Sequence, residues 1–134
     1  MVSRKILVIF VVLLLVVVSY PFWSLFFIVG APTPLFSVSN YDNVSHTIAV
    51  EIIGPDNTSI FNDSRNLDPD EHWSHPKPLY MVSRSYFAWG EDRYTVYATM
   101  DYNVTRNMTI NYHLWNNPRI KIYDGTLIIG EITV

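Results

Sequence analysis

Cysteine is absent from all 134 residues. That excludes a disulfide-stapled scaffold, a thiolate nucleophile, an iron–sulfur cluster and any zinc site that needs sulfur. Glycine is sparse, with five residues, and cations are few: nine Lys and Arg against twelve Asp and Glu leave a formal charge of −3. A chain without a basic face offers no footprint for nucleic acid. At this length one small domain fits and a large enzyme does not. Two further absences are local. No charge occurs between Ile6 and Leu35, and beyond residue 31 helical periodicity is nearly missing.

Apolar residues fill the uncharged stretch. Arg4 and Lys5 precede thirteen of them in succession, Ile6 to Val18, and an aromatic-rich run continues to Ala31. As a helix, Ile6 to Val29 would measure about 36 Å, enough to cross a hydrocarbon core of about 30 Å with some tilt. The expected organisation is a short cytoplasmic start (1–5), a transmembrane anchor (6–30) and an extracellular domain (31–134). Arg4 and Lys5 flank the run on one side, and the next cation is Arg65, so the positive-inside rule keeps the N-terminus in the cytoplasm of a single-pass cell-membrane protein. Two alternatives stand beside the anchor. One is a signal peptide, cleaved to release a secreted protein, because a basic start and a hydrophobic stretch are its marks too. The other is a buried core helix. Cleavage after Ser19 would leave an apolar new terminus, and cleavage after Ala31 would set Pro32 beside the scissile bond.

Five Asn-x-Ser/Thr sequons lie downstream, at Asn43, Asn57, Asn62, Asn103 and Asn107. Composition alone would give roughly one or two, and the excess fits an exported, glycosylated chain. The same letters also serve turns and exposed strand faces. Many sequons without cysteine point towards an archaeal cell surface. Beyond residue 31, seven cations face twelve carboxylates, a net charge of −5 that favours solubility.

Period-two alternation dominates this outer part. In Ser45–Ile53, Ile48, Val50 and Ile52 share one face; in Arg93–Met100, Tyr94, Val96, Ala98 and Met100 do. Thr105–Leu114 alternates similarly after a turn at Asp101–Asn103. Pro118–Tyr123 and Thr126–Val134 flank Asp124-Gly125, the pair that favours a type I′ hairpin turn. Phe36–Asn40, Thr58–Asn62 and Tyr80–Trp89 complete seven or eight strands, hence an all-β, antiparallel sandwich preceded by one helix. Phe36-Ser-Val-Ser-Asn40, the strand from His46 to Ile52, Ile60-Phe61 and Leu67-Asp-Pro-Asp-Glu71 together resemble the first half of small immunoglobulin-like or fibronectin-III-like surface domains. The resemblance covers about 40 residues and implies a fold without a chemistry. It places Leu67 as a plug where the chain crosses between sheets. Asp70 stands where such domains usually carry glycine, which leads to the expectation of a different turn there.

Candidate sites follow from side-chain chemistry. Aromatic and basic residues crowd between Glu71 and Tyr97, and Trp73, Tyr80, Arg84, Tyr86, Trp89 and Arg93 form the candidate surface for a protein or glycan partner. The competing reading places those rings in the core. His72 and His75 form a candidate metal pair in a polar loop, which would make the chain a membrane-tethered, copper-type metal-binding module; a blue-copper centre is excluded because it needs a thiolate. Asp68, Asp70 and Glu71 lack the spacing and glycine of a calcium loop. No nucleophile elbow or carboxylate pair marks catalysis, and no cofactor is expected. The reading is a non-catalytic surface protein for partner contact, or a subunit of an envelope assembly, whose oligomeric state the sequence leaves open.

Overall fold

The computed structural model describes residues 4–87 and 92–133; at 21, 22, 24–29, 86 and 87 it describes the backbone alone. The chain divides into two compact units, Met1–Ala31 and Pro32–Val134.

The first unit is one helix, α1 (Arg4–Val29), of 26 residues. At 1.5 Å per residue its backbone is about 39 Å long. Each side chain from Ile6 to Val18 is between 46% and 66% exposed. A surface helix of a globular protein would show an apolar stripe and a polar face; α1 is apolar all round. Among the described residues, no helix is long and apolar enough to cross a membrane.

The second unit packs two four-stranded sheets face to face. The first sheet runs β4 (His72–His75), β1 (Phe36–Asn40), β7 (Asn116–Tyr123), β8 (Thr126–Thr133); the second runs β3 (Ser59–Leu67), β2 (His46–Ile53), β5 (Arg93–Met100), β6 (Val104–Asn111). Alternation in β2 and β5 works as the letters imply: Ile48, Val50, Ile52, Val96 and Ala98 are fully buried, and Thr47, Glu51 and Tyr97 are not. Facing them are Phe36, Val38, Ile120 and Ile122, with Leu127 closing the first sheet. Burying one such side chain stabilises the fold by about 1.5–3 kcal/mol. The ring of Trp73 meets Phe36 edge-on at 4.9 Å.

Turn chemistry explains the hairpins. Asp124 and Gly125 both have positive φ, 50° and 66°, the type I′ geometry. Asp101 and Tyr102 repeat it at φ 50° and 59° between β5 and β6, where no glycine relieves the strain. Leu67 is fully buried where the chain leaves β3 for β4 in the other sheet. Two residues on, Pro69 leads into Asp70 at φ 61°. The aspartate therefore adopts the left-handed conformation for which glycine is suited, and the turn expected to differ keeps the glycine geometry.

Several expectations need correction. The sandwich is not wholly antiparallel, because β1 and β7 run parallel. The segment read as a strand from Tyr80 forms a helix, α2 (Leu79–Phe87). Met81, Val82 and Ser85 carry its inward face at helical spacing, and the Pro78 carbonyl accepts from the Met81 and Val82 amides at its start. Glu71–Pro76, read as a loop, contains β4, whose pairing with β1 outweighs its polar letters. Asn116 and Asn117, ahead of the strand expected from Pro118, also lie in β7; their buried amides bond Glu131 and Ser37. β6 ends at Asn111, short of Leu114.

Candidate functional site

A cleft of about 420 Å³ opens between the β2–β3 turn, α2 and the start of β5. The turn contributes Pro55, Asp56 and Thr58; β3 adds Ile60, α2 adds Tyr80 and Arg84, and Asp92 and Tyr94 close it. The turn is held by the Gly54 amide donating to the Thr58 carbonyl at 2.8 Å and by the Asp56 carboxylate, which accepts from the Thr58 hydroxyl at 2.7 Å. Across from it, Arg84 Nε donates to Asp92 Oδ2 at 2.9 Å. Tyr80 is half exposed and Tyr94 almost fully buried. Burial raises the pKa of both phenols, reinforced by Asp56 at Tyr80 and by Asp92 at Tyr94, so both rings stay neutral. The cleft thus offers two neutral aromatic rings beside hydrogen-bonding groups of both kinds, an arrangement suited to a ligand with an apolar face and a polar rim.

The six residues of the candidate partner surface are not brought together. Tyr80 and Arg84 share this cleft. Trp73 is 7% exposed and belongs to the core, because β4 turns it inward onto Phe36. Arg93 lines a different cleft of about 450 Å³ with Asn111, His113, Asn116 and Glu131. The side chain of Tyr86 and all of Trp89 lie outside the described residues.

His72 and His75 are also kept apart. Three residues apart on a strand, they point to opposite faces. His72 Nδ1 lies 3.0 Å from the Ser39 hydroxyl on the outer face, and the His75 ring packs on Phe61 at 4.6 Å. Among the described residues no group of three His, Asp or Glu side chains is placed to hold a metal ion. The strand replaced the loop on which the pair depended.

Two polar centres escaped the sequence reading. His46, 8% exposed, sits between two carboxylates: Nδ1 is 2.6 Å from Asp101 and Nε2 is 3.0 Å from Asp42. The Gly125 amide also donates to Asp42 at 2.8 Å, so one imidazole ring ties the start of β2 to the β1–β2 loop, the β5–β6 turn and, through Asp42, the β7–β8 turn. The bond to Asp101 does most to raise the His46 pKa. The Gly125 amide lowers that of Asp42, and His46 lowers that of Asp101. The second centre is Lys77, whose ammonium donates to the Thr33 hydroxyl and the carbonyls of His113, Leu114 and Asn116. Burial lowers its pKa to about 8, which leaves it charged at neutral pH. Asp42, four residues before His46, was the only trace of the first centre. Lys77 between two prolines gave no sign of its neutral cage.

All five sequon asparagines are exposed. Asn57 and Asn103 occupy the turns of the second sheet, Asn62 and Asn107 its edge strands β3 and β6, and Asn43 the loop that enters β2. No sequon falls on a strand of the first sheet.

No protein-family model matches the chain, and no curated protein is significantly similar to it.

Proposed function

We propose that the chain is a single-pass membrane protein that displays a non-catalytic, immunoglobulin-like β-sandwich outside the cell for contact with a protein or glycan. α1 is the anchor, residues 1–5 are cytoplasmic, and the sandwich carries N-glycans on its second sheet. The observation that carries the reading is the contrast within one chain. The sandwich encloses its own apolar core, whereas α1 exposes every apolar side chain from Ile6 to Val18. Such a helix is soluble only in hydrocarbon. Exposure of every sequon supports export. The cleft under α2 is suited to a sugar ring.

The absence of cysteine makes the topology test clean. Ser3→Cys and Thr126→Cys variants, expressed in intact cells, are exposed to a membrane-impermeant maleimide. Thr126→Cys labels at once, and Ser3→Cys labels only after permeabilisation. The reverse pattern overturns the orientation; a labelled product in the medium lacking residues 1–31 supports the secreted alternative.

A further inference from the structure

Asn57 stands between two residues that line the cleft. Asp56 and Thr58 both face it, and Asn57 itself is exposed at the tip of the turn, at φ 62°. The turn is held rigid by the Asn57 amide donating to the Gly54 carbonyl at 3.0 Å and by the bonds from Thr58 to Asp56. A sugar attached there starts at the rim, and its effective concentration over the cleft is that of an intramolecular ligand. The cleft's chemistry matches that occupant. Tyr80, half exposed on α2, presents a ring to the apolar face of a pyranose. The Arg84–Asp92 pair and Asp56 present donors and acceptors to its hydroxyls and acetamido group. About 420 Å³ is near the small end of ligand sites, which span about 300–1,000 Å³.

We infer that the cleft is the seat of the chain's own Asn57-linked glycan, whose first sugars stack on Tyr80 and bond the Arg84–Asp92 pair. The inference rests on the reading of the chain as exported and glycosylated, and it narrows the occupant from a partner's glycan to one carried in cis. It also gives α2 a purpose that packing alone does not supply. The helix buries Met81 and at the same time holds Tyr80 and Arg84 across from the sequon.

The test uses the full chain made in N-glycosylating cells and purified in mild detergent. Asn62 serves as internal control, since it is exposed on edge strand β3 and pairs across to Glu51, with no ring opposite. Glycopeptide mass spectrometry first gives occupancy at each sequon, and endoglycosidase release is then followed site by site on the native protein. A docked glycan at Asn57 is released about three- to tenfold more slowly than the one at Asn62, the factor that one aromatic contact supplies. Tyr80→Ala brings the two rates together, Tyr80→Phe keeps them apart, and denaturation equalises them in every variant. Equal native rates, or slow release that survives Tyr80→Ala, overturns the inference while leaving the glycoprotein reading intact. So does an unmodified Asn57 on a chain glycosylated elsewhere. A chain with no glycan at any sequon removes both.

Discussion

The same apolar letters behave in opposite ways in the two units. In α1, each side chain from Ile6 to Val18 is at least 46% exposed; in the sandwich, Ile48, Val50, Ile120 and Ile122 are fully buried. Burial therefore follows from pattern and partner, and residue type does not decide it. Alternation with Thr, Ser and Glu gives each strand a wet face and a dry one, and two dry faces close on each other. A run with no polar residue, Ile6 to Val18, gives the helix no wet face along that stretch.

The comparison is sharpened by perturbing each unit and looking for silence in the other. The largest effect is expected in the core. Phe36→Ala removes the ring against which Trp73 and Phe61 pack and costs about 3–5 kcal/mol of sandwich stability, measured by urea unfolding, with the membrane-bound fraction unchanged. Val18→Arg does the reverse. A cation at the middle of the proposed span costs about 2.5–3.5 kcal/mol of insertion, read as a fall in the membrane-integrated fraction with no change in the sandwich's urea midpoint. If either variant affects both readouts equally, the two units are not independent.

Smaller effects come from polar centres within the sandwich. Lys77→Met takes the ammonium donor away from the buried Leu114 and Asn116 carbonyls and the part-buried His113 carbonyl and lowers stability by about 1–3 kcal/mol in the same unfolding assay. Asp70→Gly has the opposite sign. Relief of the left-handed aspartate raises stability by about 0.5 kcal/mol, less than the steric strain because glycine also frees the unfolded chain. The His46 clasp gives a pH dependence. A raised histidine pKa contributes stability that is complete below about 6.5 and is lost as pH rises through the folded value. The lowered pKa values of Asp42 and Asp101 contribute stability above about 3.8 that is lost as pH falls through theirs. The urea midpoint of the native chain is expected to be highest between about pH 4 and 6.5 and to decline above that, and His46→Asn flattens the decline.

The parts of the fold that were legible in advance depend on local rules. β2 and β5 followed from strict alternation and the last hairpin from Asp-Gly; the crossing at Leu67 came only with the resemblance to immunoglobulin-like domains. What was missed depends on partners far away in sequence. β4 is a strand because β1 lies beside it, and β1 runs parallel to β7, some 80 residues later; no local signal encodes either pairing. α2 was read as a strand because its aromatic letters favour both states, and only the burial of Met81 against the sandwich decides between them. The cleft draws on the β2–β3 turn, α2 and β5, so Tyr80 and Arg84 could be named from the sequence, whereas Asp56, Asp92 and Tyr94 could not.

Alkaline carbonate extraction of membranes from cells making the full chain tests the central claim most directly. The account predicts that the chain stays in the membrane pellet through α1, and that protease added outside before extraction removes the sandwich and leaves only a helix-sized remnant. Recovery of the intact chain in the carbonate supernatant would contradict it.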